Sequence, residues 1–207
     1  MTTRIGVIAD THCPEFIEEL PPRVFATLKG VDLILHAGDV NAPSTIEALG
    51  RIARVEAVRG DHDRLLGSLP ETRELTVEGV RIVVVHGQRA RWIEEPNTLL
   101  WTLSLGFFQP NSGLPRSLRR RFPDADVIVY GHTHRPHARR VGGALLFNPG
   151  GVHQWNPMTA RRRLEQHPEW FEWCWLQVAR FMRRFAAPSV GILEIDEDRI
   201  LPRIIEI

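Results

Sequence analysis

Five short polar signals each stand just past a run of aliphatic and β-branched residues. They are Asp10-Thr11-His12, Gly38-Asp39, Gly60-Asp61-His62-Asp63, His86-Gly87 and Gly131-His132-Thr133-His134. The runs before them, Arg4 to Ala9, Val31 to Leu35, Val55 to Arg59, Val80 to Val85 and Asp126 to Tyr130, are nearly continuous in apolar residues, the pattern of strands buried on both faces. A chain that ends buried strands this way is constrained to α/β architecture, because open α/β sheets collect polar ligands at the carboxyl ends of their strands.

The segments between the early strands agree. Pro22 to Lys29 places Val24, Phe25 and Leu28 at helical spacing, and Pro43 to Ala53 reads as a second helix beginning behind Ser44. Strand, helix, strand, helix, strand is the rhythm of a parallel sheet. Beyond residue 70 hairpins dominate. Arg73 to Val77 pairs with Val80 to Val85 around Glu78-Gly79, Arg135 to Val141 with Ala144 to Phe147 around Gly142-Gly143, and Val190 to Ile195 with Ile200 to Ile205 around Glu197-Asp198. The C-terminal half is therefore expected to be largely antiparallel. A length of 207 residues buries a core without disulfides or a structural metal. One domain over residues 1–207 is expected, with helical insertions at about 89–123, which holds Pro96, Pro110 and Pro115, and at about 155–188.

Composition excludes several classes. A hydrophobic fraction of 43% and a charged fraction of 25% are those of a folded globular chain, not of a disordered, collagen-like or coiled-coil one. No apolar run approaches the roughly 20 residues of a spanning helix. The N-terminus has no secretory h-region, and two distant cysteines, Cys13 and Cys174, suit a reducing compartment, so a cytoplasmic location is expected. A net charge of +1 gives no global field to attract nucleic acid, which is not expected as a partner. Of 26 basic residues only Lys29 is lysine, a bias of composition that discriminates little.

The five signals share a ligand type. Carboxylate oxygens together with imidazole nitrogens suit manganese, iron, zinc or nickel better than calcium. One residue separates the partners in Asp10-x-His12 and in His132-x-His134, so both side chains can face one side in extended or turning backbone, a chelating arrangement. Each signal alone is as well explained as a loop or a helix cap. Five in order, each at a strand end, are not a packing requirement.

In that order, and followed by Asn148-Pro149-Gly150, the signals resemble the calcineurin-like metallophosphoesterase superfamily, and among its branches the small bacterial phosphodiesterases. The resemblance covers residues 1 to about 151 outside the first insertion and resumes in the final hairpin. It implies a four-layer α/β/β/α sandwich of two mixed β-sheets with two divalent metal ions at one edge, manganese first, with iron, zinc or nickel as alternatives. Asp10, His12, Asp39 and His134 would hold the first ion; Asp39 would bridge to the second, completed by Asp61, His86 and His132. The implied activity is hydrolysis of a small-molecule phosphoester, most simply a phosphodiester, by in-line attack of a metal-bridging hydroxide. His62 would protonate the leaving oxygen or stabilise the transferring phosphoryl group.

Three departures bear on this reading. Asp61 stands where the family usually has asparagine, and its carboxylate should tighten metal binding while weakening the pull on an anionic substrate. The retromer cargo-recognition subunit, a protein-binding scaffold of this fold, shares Gly-Asp here but lacks a histidine equivalent to His62, so a non-catalytic scaffold is the alternative function. No aspartate follows three residues after Asp39 to orient a catalytic histidine; Asp63 is the candidate substitute. Gly151 replaces the serine of the family's Asn-Pro-Gly-Ser turn, which reads as structural. His36, His137, His153 and Cys13 lie near the motifs without a matching ligand role.

The insertions carry aromatic residues and arginine. Phe171, Trp175, Val178, Phe181, Met182 and Phe185 follow amphipathic helical spacing; the first insertion offers Trp92, Leu99, Leu100, Trp101, Leu103, Leu105, Phe107 and Phe108, then Arg116, Arg119, Arg120 and Arg121. Mutual burial into a cap is the simplest use. Selection of a partly apolar substrate, whether a lipid-linked pyrophosphate or a nucleotide stacking on tryptophan, and homo-oligomerisation through the Trp-rich face are the others.

Overall fold

The structure is a computed structural model that describes residues 2–63, 66–89, 92, 93, 96, 99, 100, 103, 104, 113–181, 186–197 and 199–207. The chain divides into two compact units, one of Met1–Gln88, Leu114–His153 and Ala187–Ile207, the other of Arg89–Gly113 and Gln154–Ala186.

In the first unit β1 (Thr2–Ile8), β2 (Leu33–His36) and β3 (Arg54–Ala57) run parallel, linked by α1 (Pro22–Leu28) and α2 (Pro43–Gly50). Pro43 opens α2 two residues ahead of the start expected behind Ser44, since its fixed φ suits the first helical position. A second sheet contains β4 (Thr72–Val77), β5 (Val80–Val85), β6 (Val127–Tyr130), β7 (His137–Val141) and β8 (Ala144–Asn148) in the order β4-β5-β6-β8-β7. The helix α3 (Leu114–Arg121), inside the range expected for the first insertion, belongs to this unit. The last hairpin, β9 (Ser189–Asp196) and β10 (Arg199–Glu206), joins the first sheet antiparallel to β1, giving β10-β9-β1-β2-β3. Its expected turn residue Asp198 lies outside the described residues.

The C-terminal half is less antiparallel than hairpin spacing predicts. β5 pairs with β6, and β6 with β8, in parallel. The segment between β5 and β6 is long enough for the crossover a parallel neighbour requires, and β7, placed at the sheet edge beyond β8, turns the chain so that β8 returns beside β6 in the same direction. Both sheets are thus mixed.

Alternation along the strands assigns the layers. Ile5 and Val7 of β1, Ile82 and Val84 of β5, Val127 and Val129 of β6, and Leu145 and Phe147 of β8 form the core between the sheets. Ile8 and Ile34 face the other way onto Val24, Leu28 and Leu49 of α1 and α2. Val83, Val85, Ile128 and Leu146 pack against Leu114 and Leu118 of α3. The result is the expected four-layer α/β/β/α sandwich. Because both sheets turn strand carboxyl ends the same way, the ends of β1, β2, β3, β5 and β6 converge on one edge.

The second unit contains α4 (Pro157–Leu164) and α5 (Trp170–Ala179). Asn156 caps α4 by accepting from the backbone N–H groups of Met158 and Thr159, and Thr159 reciprocates to the Asn156 backbone. Leu176, Ala179 and Ala160 are fully buried against Trp155, Leu164 and Trp175, and the Trp155 and Trp175 rings meet edge to face at 5.1 Å. The stripe expected to continue through Phe181 stops earlier: α5 ends at Ala179, and Phe181 is 70% exposed. The side chain of Phe171 and residues Met182, Phe185, Trp101, Leu105, Phe107 and Phe108, all named in the expected apolar faces, lie outside the described residues. Among the described residues no helix is long and apolar enough to cross a membrane.

Candidate metal centre

Each strand end bends sharply, and the polar residues themselves absorb the bend. Asp10 (φ 50°), His12 (φ 46°), Asp39 (φ 57°), His132 (φ 65°) and His134 (φ 52°) all adopt left-handed backbone. This conformation costs an L-residue roughly 1–2 kcal/mol, least for aspartate and asparagine types. It persists because the loops are stitched to one another. The Asp10 N–H donates to the Gly38 carbonyl (3.0 Å), the His12 N–H to the Asp39 carbonyl (3.0 Å) and the His153 N–H to the Asp10 carbonyl (3.0 Å). Asn148 braces the fifth loop by donating from Nδ2 to the Gly131 carbonyl (2.8 Å) and to Thr133 Oγ1 (3.1 Å). Asp-x-His and His-x-His therefore converge their side chains through two left-handed residues, not through extended backbone.

Space is reserved at the same level. A Cβ on Gly38 would lie 2.6 Å from His86 Nδ1, and the glycine's φ is +89°. At Gly60 a Cβ would lie 2.2 Å from Asp39 Oδ1, so the Asp39 carboxylate rests directly on the Gly60 backbone.

The structure brings together all seven candidate ligands in two groups around Asp39. Ligand atoms of Asp10, His12 and His134 lie within 4.8 Å of one another, as do those of Asp61, His86 and His132. Asp39 Oδ2 stands 3.4 Å from His12 Nε2 and 3.3 Å from His86 Nε2. Its other oxygen, Oδ1, is turned away by accepting the His62 backbone N–H at 2.9 Å.

Electrostatics tests which group the cup fits. His86 Nδ1 is 2.8 Å from the Ala37 carbonyl, which can only accept, so Nδ1 carries a hydrogen and, in the neutral ring, Nε2 presents a lone pair. That lone pair has no hydrogen bond among the described residues although Asp61 Oδ1 is 2.8 Å away. Asp10 Oδ2, fully buried, is likewise without one. An imidazole lone pair and carboxylate oxygens at such range repel unless a positive charge stands among them. The titration behaviour reports the same demand. Burial opposes protonation of His86, but Asp39, Asp61 and Asp10 outweigh it and hold the imidazole well above its usual range. Burial pushes Asp39 up, yet His86 and His12 hold it well below the usual carboxylate range; for Asp61, His132 and His86 likewise overcome burial. Asp10 is raised by burial against His134 and His86, and His12 is lowered by burial against Asp39. The donor set of carboxylates and imidazoles fits divalent transition ions.

His62 sits at the rim with its side chain 41% exposed, its ring 4.8 Å from that of His12. Burial lowers its pKa, but Glu15 and Asp39 raise it overall to about 9. Asp63, the candidate orienter, does something else. Its carboxylate accepts backbone N–H groups of Asp39 (2.9 Å), Gly60 (2.8 Å) and Asn41 (2.6 Å), tying the second loop to the third. The carboxylate against His62 is that of Glu15, Oε2 to Nδ1 at 3.2 Å, which motif reasoning passed over. Its five-residue spacing from Asp10 in a turn-rich loop was the available signal.

The accessory residues are placed as follows. His36 is buried beneath the second loop against Thr11 Oγ1 (3.2 Å), and burial pushes it to about 3. His153 is buried beside the His12 ring (5.7 Å), and its carbonyl is 2.8 Å from His134 Nδ1, turning His134 Nε2 toward Asp10. His137 pairs with Tyr130 Oη (3.1 Å), and the Cys13 thiol donates to the Glu18 carbonyl.

The calcineurin-like phosphoesterase superfamily domain matches residues 3–163. A probable metallophosphoesterase of Methanothermobacter thermautotrophicus is 35% identical over 147 residues, which are 70% of this chain and 75% of that protein. Among solved structures, vacuolar protein sorting 29 of Cryptosporidium parvum superposes with a TM-score of 0.68 at 19% identity, covering 100% of this chain and 92% of its own. Its counterpart from Entamoeba histolytica, solved in complex with zinc, gives 0.63 at 19% identity over 99% of both chains. At those identities the structures speak to the fold alone. The family match spans all five strand-end signals and the archaeal relative extends it at the level of sequence: the chain belongs to the calcineurin-like phosphoesterase superfamily.

Proposed function

We propose that the seven side chains hold two divalent cations and that the chain hydrolyses a phosphodiester. Asp10, His12 and His134 would take one ion, Asp61, His86 and His132 the other, and Asp39 would bridge. The observation that carries this is Asp39 Oδ2, set 3.4 Å and 3.3 Å from imidazole nitrogens of the two groups. A cation pair in such a cup supplies charge neutralisation at phosphorus and a water acidified to near neutral pH.

The chain's own residues do the rest. Asp39, anchored through Asp63 and the His62 backbone, fixes the spacing of the two halves. His62, half-exposed at the rim, offers a proton. As the water oxygen forms the new P–O bond, the electrons of the breaking P–O bond pass to the leaving oxygen, which takes the His62 proton; the proton of the water goes to solvent. The choice of a diester over a monoester follows the resemblance to the small bacterial phosphodiesterases.

The test is metal content and hydrolysis of bis-p-nitrophenyl phosphate with manganese. Wild type should bind two equivalents and turn over. Asp39→Asn should lose metal and activity together, and His62→Ala should keep metal while losing about 100-fold in rate on diphenyl phosphate, whose more basic leaving oxygen needs a proton, the lower end for a general acid. Equal rates in all three would refute the reading.

Asp61 and the exposed Trp170 and Trp173 favour a second reading, a scaffold that docks a partner on those tryptophans. Partner capture that depends on Trp173, with no hydrolysis of any phosphoester, would support it.

A further inference from the structure

A histidine at the rim of a charged cup has two nitrogens, and its usefulness depends on which one it presents. His62 Nδ1 lies 3.2 Å from Glu15 Oε2, and a carboxylate accepts, so Nδ1 carries a hydrogen and Nε2 is the nitrogen left for a ligand. The Glu15 carboxylate is itself held: Asn41 Nδ2 donates to the same Oε2, and the Asn41 backbone N–H is fixed by Asp63 Oδ1 at 2.6 Å. Asn41 reaches this position by adopting φ 74°. Phe16, next to Glu15, places its ring 5.8 Å from the His62 ring and 4.9 Å from the His12 ring, confining the imidazole from the side. Asp63, Asn41, Glu15 and His62 thus form one relay of hydrogen bonds from the buried loop junction to the rim.

We infer that Glu15 is the positioning residue for His62, fixing the tautomer and orientation in which Nε2 delivers its proton to the leaving oxygen. The inference rests on the catalytic reading of His62 proposed above. When the P–O bond breaks and the leaving oxygen takes the Nε2 proton, His62 is left neutral with its remaining hydrogen on Nδ1 toward Glu15, and Nε2 recovers a proton from solvent water.

The experiment compares two diesters with manganese. Bis-p-nitrophenyl phosphate expels a stabilised phenolate that needs little protonation, whereas diphenyl phosphate expels a more basic one that needs it. His62→Ala and Glu15→Gln should each lower kcat on diphenyl phosphate at least about 10-fold more than on bis-p-nitrophenyl phosphate, with Glu15→Asp recovering part of the loss. The Glu15→Gln/His62→Ala double variant should be no slower than His62→Ala, because the two act as one unit. A second readout needs no turnover: in chelator-treated protein labelled with 15N-histidine, the His62 Nδ1–H resonance should move in Glu15→Gln and stay fixed in Glu47→Gln. An unmoved resonance, equal loss on both diesters, or a Glu15 defect that multiplies the His62→Ala defect would overturn the assignment while leaving the phosphodiesterase reading intact. A wild type inactive on both diesters would overturn that reading and this one with it.

Discussion

Gly60→Ala tests whether the cup depends on the position of one carboxylate. A Cβ there would lie 2.2 Å from Asp39 Oδ1 and 2.6 Å from the Asp39 backbone nitrogen, while ordinary contact begins at 3.4 Å. The carboxylate must therefore retreat by 3.4 − 2.2 = 1.2 Å. It has nowhere easy to go. The Asp39 N–H and the Gly60 N–H both donate to Asp63 Oδ2, at 2.9 Å and 2.8 Å, and Oδ1 is held by the His62 N–H. Overpacking of this kind costs about 1–3 kcal/mol of stability. A 1 Å misplacement near the chemistry costs about 100-fold in rate. The expected result is a folded protein, less stable by that amount, that binds at most one equivalent of manganese and turns over bis-p-nitrophenyl phosphate at least about 100-fold more slowly. Gly50→Ala is the control, because a Cβ there meets nothing within 4 Å. Metal analysis, thermal unfolding and initial rates read the outcome. A Gly60→Ala protein with two bound ions and a rate within about threefold of wild type would refute the placement of Asp39 at the centre of the site.

Two further outcomes follow from the charges. Asp61→Asn removes one of three carboxylates, so metal affinity should fall about 10-fold or more while kcat/KM at saturating manganese rises, read by metal titration and initial rates; unchanged metal affinity would show that Asp61 is not a ligand. His36, fully buried and pushed down to about 3 by burial, binds no proton in the folded state near neutral pH, whereas the unfolded chain binds one below about 6.5. Its contribution is present above pH 6.5 and is lost as pH falls toward 3. Between pH 7 and pH 5 the metal-free wild type should lose about 2 kcal/mol more unfolding free energy than His36→Leu, measured by denaturant titration, and parallel losses would refute the assignment.

The sandwich was legible because burial on both faces leaves little freedom in composition. Strands β1, β2, β5 and β6 read as apolar runs, and the glycine-bearing turns between β4 and β5 and between β7 and β8 gave their hairpins away. Strand direction in the second sheet was not legible. Val80–Val85 looks the same whether its second neighbour is parallel or antiparallel, and that information lies in the long connection before β6 and in the edge placement of β7 beyond β8. The end of α5 was hidden for a related reason. Helical spacing continues through Phe181 in the sequence, but periodicity registers which face is apolar and not where burial runs out.

For the metal centre the residue types were legible and the backbone was not. Asp10, His12, Asp39, His132 and His134 announce themselves by chemistry and order, yet nothing in their sequence says that all five adopt left-handed φ. That property belongs to the loops jointly, since each residue is held there by a neighbour from a different strand, as Asp10 is by Gly38 and His153. Five such residues at roughly 1–2 kcal/mol apiece are a substantial fraction of a domain's net stability. The strain is met within the chain, through Asp63, Asn148 and the interloop hydrogen bonds. This explains why the residue most informative about the site's construction, Asp63, contributes no ligand atom to either group: its carboxylate is consumed by three backbone N–H groups of the loops that bear Asp39 and Asp61.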